Sequence, residues 1–212
     1  MQADVKLYHC RLQELSEAAG IEPGSVDLVF TDIPYGKAFL PELGQLAGEA
    51  ERWLLPGGLF VTYSGQYYLD RVMAEFGRRL TYRWVGSTVW WTLGVPVHPL
   101  NTVSKWKPLV VFSKGAWEKR KPWVDYQFNP SEKEKEWHPW QQPLLDTEHW
   151  LRCFSRAGDL VVDPCGGGFT TAVGCLRLGR RFVGCDVDAR AVSQGRKRVE
   201  LAQTYFESQH EE

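Results

Sequence analysis

No apolar run among the 212 residues approaches the ~18 needed to cross a bilayer, and the opening MQADVKLYHC lacks the apolar stretch of a secretory leader. The expected location is therefore the cytoplasm. Paired cysteines are missing too: Cys10, Cys153, Cys165, Cys175 and Cys185 are odd in number and never spaced C-x-x-C, which argues against a disulfide framework and against a zinc site. His98, His138 and His149 show no metal-ligand spacing either, so no metal is expected. Neither sign of charge is in excess. A net charge of -1 excludes a wholesale polyanion binder, and any contact with nucleic acid has to come from a local basic patch. What remains is a chain that is 43% hydrophobic and 24% charged, enough for one sizeable core and a single domain over residues 1–212. There is no internal repeat, and most of the ten Trp lie between Trp84 and Trp150.

Residues 27–36, DLVFTDIPYG, organise the rest. Leu28, Val29 and Phe30 have the character of a buried parallel strand that ends in a polar turn containing Pro34. In open α/β sheets ligands bind just beyond the carboxyl ends of the strands, so Asp32, Ile33, Pro34 and Tyr35 are expected to face a cleft. Pro34 stiffens the turn, leaving a carboxylate, carbonyl oxygens and an aromatic ring to meet a flat, amine-bearing ring. Strand and helix patterns alternate along the chain. Strands are expected at 5–8, 27–31, 59–63, 81–91, 109–112, 160–162 and 181–185, with helical spacing at 12–19, 41–55, 68–76 and 169–178. This predicts an α/β fold with a mostly parallel sheet covered on both faces and an antiparallel pair near Trp84 and Val110.

Residues 160–188 form a βαβ pattern around DPCGGGFTT. Glycines suit a backbone that approaches a ligand closely, and the first N–H groups of the following helix can receive an anionic group. Asp186 follows Gly166 by 20 residues, close to the spacing at which a carboxylate takes both hydroxyls of a ribose. A nucleoside-containing cofactor follows. From 113 to 137 the pattern breaks into charge, Pro and aromatics, and this segment is expected to leave the sheet. Its Lys114, Lys119, Arg120 and Lys121, with Trp117, Trp123 and Tyr126, suit phosphate contact plus base stacking; a solvated loop pinned by its aromatics fits equally well. Asn101, Ser104 and Lys105, on a loop after Trp91, are further candidates for phosphate contact.

With a third stretch, WHPWQQP at 137–143, the chain resembles the DNA amino-methyltransferases, which use S-adenosylmethionine to methylate an exocyclic amine of adenine or cytosine. In that family a D-P-P-Y-type turn is catalytic, D-P-F-x-G-x-G-T-T and a later acidic residue bind the cofactor, and H-P-T-Q-K-P precedes them. The residues similar to these are Asp32, Ile33, Pro34 and Tyr35; Asp163, Pro164, Cys165, Gly166, Gly168, Thr170 and Thr171 with Asp186; and His138, Gln141 and Pro143. The order, catalytic turn first and cofactor loop last, resembles the permuted beta subclass, which implies a Rossmann-like class I methyltransferase fold. Ile33 stands where the family has its first proline; the acceptor needed there is a main-chain carbonyl, which any residue supplies. Trp140 and Gln142 replace Thr and Lys, a change expected to bear on how the cofactor's methionine end is held. Cys165 lies inside the glycine loop and reads as a small apolar filler.

The resemblance implies a mechanism. Asp32 and the Ile33 carbonyl draw the hydrogens of a poorly nucleophilic amine, Tyr35 stacks on a flipped base, and no covalent intermediate forms. Aspartate at the head of the turn, where cytosine-amine enzymes usually carry serine, favours adenine N6. DNA is the implied partner, and a second copy of the chain is a candidate one. RNA as substrate, cytosine N4 as target, a silent nucleic-acid-binding module and a nicotinamide oxidoreductase are the competing readings; the last has only the glycine turn and Asp186 in its favour.

Overall fold

The structure, a computed structural model, describes residues 4–90, 94–117, 122–129 and 142–209. Its strands are β1 (Val5–His9), β2 (Val26–Asp32), β3 (Leu54–Tyr63), β4 (Thr81–Trp90), β5 (Val95–Val97), β6 (Thr102–Ser104), β7 (Trp106–Ser113), β8 (Tyr126–Asn129), β9 (Leu160–Asp163) and β10 (Arg181–Asp186). The helices are α1 (Leu15–Ala19), α2 (Leu43–Trp53), α3 (Leu69–Gly77), α4 (Leu144–Phe154), α5 (Thr170–Arg177) and α6 (Ala189–Gln209). Eight strands form one sheet in the order β1-β10-β9-β2-β3-β7-β4-β8, while β5 and β6 pair as a separate hairpin.

The period of two in the strand sequences sorts side chains into two layers. Val29 of β2, Phe60 of β3, and Val110 and Phe112 of β7 face α1, α2 and α3, where Leu15, Leu46, Trp53 and Phe76 bury against them. Their neighbours Leu28, Phe30, Val61, Leu109 and Val111 face α4, α5 and α6, against Trp150, Phe154, Ala172 and Val192. Both faces of the sheet are thus covered, as the continuous apolar runs require.

The expected antiparallel pair is β4 with β7, where Trp84 opposes Val111 and Val85 opposes Val110. Two expectations need correction. The stretch 113–137 does not leave the sheet throughout: Tyr126–Asn129 pairs in parallel with β4 as the edge strand β8. That strand is short and its Tyr126 and Phe128 are exposed, so it lacks the buried alternation that would have marked it. The loop carrying Asn101 and Ser104 is instead the β5–β6 hairpin, turned by Asn101 in the left-handed region at φ 47°.

The strand order places a switch point between β2 and β9. From β2 the chain moves through α2 to β3 on one side; from β9 it moves through α5 to β10 on the other. The connecting helices lie on opposite faces, so the carboxyl ends of β2 and β9 flank a crevice, the place where doubly wound sheets bind ligands.

Candidate active site

One wall of the crevice is the turn after β2. Ile33 buries its side chain in the α2 layer at 2% exposure, and this pins the turn by its middle and leaves Asp32 and Tyr35 at the rim. Asp32 is held by three donors. The Tyr35 hydroxyl donates to Oδ1, the Gln142 side-chain amide donates to Oδ2, and Lys107 Nζ lies 3.1 Å from both oxygens. An ionised carboxylate offers about four acceptor positions; with Lys107 counted as one donor shared between the two oxygens, an entering N–H takes the last position or displaces one of the three donors.

Lys107 is 7% exposed and its ammonium sits 4.1 Å from the centre of the Tyr63 ring and 5.0 Å from that of Tyr35, within cation–π range of both. Partial burial and the adjoining Asp32 carboxylate hold the Tyr35 phenol well above its ordinary range, so its hydroxyl remains a donor although the residue is 42% exposed. An exposed aromatic beside a carboxylate, at a strand end, is what stacking on a planar ligand requires.

The opposite wall is the loop between β9 and α5. Asp163 is buried; its Oδ1 accepts from Thr31 Oγ1 at 2.8 Å and from the Cys165 N–H at 3.1 Å. Burial raises its pKa to about 7 against the opposing pull of those hydrogen bonds. Gly167, at φ 48°, takes a turn that favours glycine, and its N–H donates to Asp186 Oδ2 at 2.8 Å. Phe169 adopts φ 50° and is fully buried, so α5 starts at Thr170, one residue later than the sequence pattern suggested. Burial pushes the Cys165 thiol up, away from nucleophilic chemistry, in keeping with a filler.

This loop fits a nucleoside cofactor by the chemistry of its donors and acceptors. Asp186 spends one position of each carboxylate oxygen on a backbone N–H, from Gly167 and Asp188, both at 2.8 Å. One acceptor position per oxygen is left for a pair of hydroxyls. The start of α5 is braced from behind: Thr170 Oγ1 donates to the Gln142 carbonyl at 3.2 Å, and buried Arg198 donates to Gly168 O at 2.7 Å and to Thr170 Oγ1 at 2.9 Å. Gln142 therefore spans the crevice, its main chain on the cofactor loop and its side chain on Asp32.

The remaining sequence candidates divide. Thr171 is buried at the start of α5, Pro164 accepts from Cys185 Sγ through its carbonyl, and Pro143 opens α4. Lys105 is exposed two residues from Lys107, near the crevice. Lys114 and Trp123 are not brought there. Lys114 donates to Leu54 O at 2.8 Å at the amino end of β3, and Trp123 packs edge-on against Trp150 and Phe154, which serves the core. Lys119, Arg120, Lys121, His138 and Gln141 lie outside the described residues. Sequence reasoning missed Thr31, Lys107 and Arg198. Lys107 carried a usable signal, a lone cation at the head of the buried run PLVVF; Thr31 and Arg198 had none. Among the described residues no three His, Cys, Asp or Glu side chains converge as a metal site, and no helix is long and apolar enough to cross a membrane.

An open, mostly parallel sheet, with a glycine loop and an acidic strand end on one side of its switch point and an Asp-Ile-Pro-Tyr turn on the other, is a Rossmann-like class I methyltransferase fold. The family model for DNA methylases of the N6/N4 type matches residues 26–197, and the chain belongs to that family. It is similar to the DNA adenine methyltransferase YhdJ of Escherichia coli (strain K12), 33% identical over 72 residues, which cover 34% of this chain and 24% of that one. The match to the Type II methyltransferase M2.DpnII of Streptococcus pneumoniae, 40% identical over 63 residues, likewise spans 30% of this chain and only 24% of the relative. Among solved structures, the M1.HpyAVI–SAM complex superposes with a TM-score of 0.74 at 18% identity, covering 92% of this chain and 99% of that one. The cytosine-N4-specific PvuII DNA methyltransferase reaches 0.79 at 18% identity, covering 93% and 87%.

Proposed function

We propose that the protein transfers a methyl group from S-adenosylmethionine to the exocyclic N6 amine of an adenine flipped out of DNA. The observation that carries this reading is the hydrogen-bonded bridge across the crevice. Asp32 is joined through Gln142 to the start of α5, and its neighbour Thr31 is bonded to Asp163, so the amine acceptor and the cofactor loop are held in one rigid frame.

The cofactor is S-adenosylmethionine; when bound it supplies a methyl group on a sulfonium, already a good leaving group. Asp186 would receive its ribose hydroxyls, and the Asp163–Thr171 loop would hold the rest. The chain's own part is to make the amine a nucleophile. An adenine amine has its lone pair delocalised into the ring, and it attacks only when its hydrogens are drawn out of plane. Asp32 Oδ accepts one hydrogen and the Ile33 carbonyl the other, and Tyr35 stacks on the ring to fix the approach. Acceleration then comes from alignment and preorganised acceptors, not from a covalent step. Taking the base out of the stack costs a few kcal/mol, part of which Tyr35 returns at about 1–3 kcal/mol per stacked base.

Aspartate at the head of the turn favours adenine. The likeness to the cytosine-N4-specific PvuII enzyme gives cytosine as the second reading, since one fold serves both targets. The test is transfer of radiolabelled methyl to DNA and to RNA followed by nucleoside analysis, with Asp32→Ala as control. N6-methyladenine in DNA, lost in the variant, is expected. Label recovered only as methylcytosine would overturn the base assignment, and label in RNA alone would overturn the substrate.

A further inference from the structure

Residues 94–105 form a device that the methyl-transfer reading leaves unused. Strands β5 and β6 pair only with each other, in the register Val95 to Ser104 and Val97 to Thr102. Such a two-stranded ribbon gains little stability alone. Yet Val95, Leu100 and Val103 are exposed at 54%, 66% and 57%, three apolar side chains gathered on one twelve-residue ribbon.

The ribbon is also built stiff. Pro96 and Pro99 fix φ on the way to the tip, and Asn101 turns it in the left-handed region. At the base, the Trp90 N–H donates to Lys105 O at 2.9 Å, and the Gln66 amide donates to Ser104 Oγ and Trp106 O. A Cβ on Gly94 would lie 2.4 Å from Val103 Cγ1, so glycine lets the two strands close there.

Its position is set by β7. That strand runs antiparallel to β3, with Leu109 opposite Tyr63, so the chain preceding Trp106 projects beyond the carboxyl ends of the parallel strands. Lys107, three residues after Ser104, touches Asp32. The ribbon thus rises from the rim of the catalytic crevice. The three residues of β6, Thr102–Ser104, carry the turn that holds Leu100 about 10 Å outward at ~3.3 Å per residue, comparable to the ~8.5 Å depth of a major groove. Charge at its base points the same way: residues 94–107 hold no Asp or Glu, and Lys105 is exposed there, as suits a polyanion.

We infer that the β5–β6 hairpin is a wedge for duplex DNA, whose tip residue Leu100 enters the base stack and fills the gap left by the flipped adenine. Apolar side chains inserted between base steps offset part of the unstacking cost. The inference rests on the proposed function, since a wedge has a use only where a base is taken out of a duplex.

The experiment compares Leu100→Ser with the unaltered protein on unmethylated phage DNA, native and heat-denatured, with calorimetric titration of S-adenosylmethionine as a separate readout. Leu100 is exposed, so folding is preserved, and Leu100→Met is the rescue variant. Methylation of duplex DNA is expected to fall about tenfold or more in kcat/KM. Single-stranded DNA and cofactor affinity stay within about twofold, and Leu100→Met restores the duplex rate. An equal fall on both DNA forms, or no fall on either, overturns the wedge while leaving the methyltransferase standing. So does an unaltered protein that methylates only single strands, or a loss of self-association in Leu100→Ser, which would make a second copy the partner of the tip. An unaltered protein that binds cofactor and methylates no DNA removes the reading beneath both.

Discussion

Thr31 and Asp163, 132 positions apart in the chain, are joined by a 2.8 Å hydrogen bond between neighbouring strand ends. The bond ties the residue before Asp32 to the first residue of the cofactor loop, and both side chains are buried. Thr31→Val keeps the shape and removes the donor. A buried carboxyl deprived of a partner costs about 1–3 kcal/mol, and denaturant melts should show a loss of that size. Cofactor affinity should fall with it, because the Asp163 loop loses one of its fixings. Unchanged stability in the melts would show that the bond contributes nothing to the frame.

Burial raises the Asp163 pKa from 3.8 to about 7, so between these values the unfolded chain is ionised while the folded one keeps its proton. The stability that the protonated form contributes is therefore complete below pH 3.8 and drains away as pH rises through about 7. Asp163→Asn cannot titrate. Relative to the unaltered protein, its stability without cofactor should improve from pH 4 to pH 8 by about 2–4 kcal/mol, since each tenfold change in a protonation equilibrium is worth about 1.4 kcal/mol. The cofactor carries a cationic ammonium and sulfonium, so its affinity for the unaltered protein should climb as pH rises to about 7 and level above it. A flat affinity profile from pH 5 to 8 would separate Asp163 from that cation.

Lys107 meets the acceptor that the reaction needs. Its ammonium lies 3.1 Å from both oxygens of Asp32 and over two aromatic rings, so it both orients the carboxylate and occupies space beside it. Lys107→Met keeps the aliphatic stem against Tyr63 and removes the charge. Asp32 then loses its nearest cation and the donor that fixes its plane. The expected result is a fall of at least about tenfold in kcat, the size typical of a misoriented catalytic group. Cofactor affinity, which we propose is set on the far wall by Asp186 and Asp163, should change little. A loss confined to cofactor binding would contradict the placement of Lys107.

Much of this was legible in the sequence because it rested on local regularities. The apolar runs at Leu28 and Val161 marked buried strands, and the glycine turn with Asp186 marked the β9–α5 loop that we propose holds the cofactor. Which end of the sheet carries ligands followed from the parallel topology. The bonds of Thr31, Gln142 and Lys107 were not legible, because each depends on which strands become neighbours, and β2 lies between β3 and β9 only after the chain has doubled back. Trp123 left two readings open for a related reason. Its setting among Lys and Arg resembles a nucleic-acid patch, but its ring packs edge-on against Trp150 and Phe154, as in a loop pinned by its aromatics. Local charge said nothing about the helix behind it.

Gly195 sets two effects of opposite sign against each other. It lies inside α6, where replacing glycine by alanine ordinarily stabilises a helix by about 1 kcal/mol. Here an added Cβ would lie 2.3 Å from Cδ2 of Phe169, a ring that is fully buried and held at φ 50°. Gly166 faces the same ring from the cofactor loop, with a would-be Cβ 2.3 Å from its Cε1, so the ring has no room to retreat. Overpacking of this kind costs about 1–3 kcal/mol, which outweighs the gain in helix propensity. Gly195→Ala is therefore expected to lower stability and, by displacing Phe169, to weaken cofactor binding at a loop that Gly195 itself does not line. Thermal melts and cofactor titration of the purified variant would check both, and a raised melting temperature would mean that the Phe169 ring yields and that the loop is less rigid than its packing indicates.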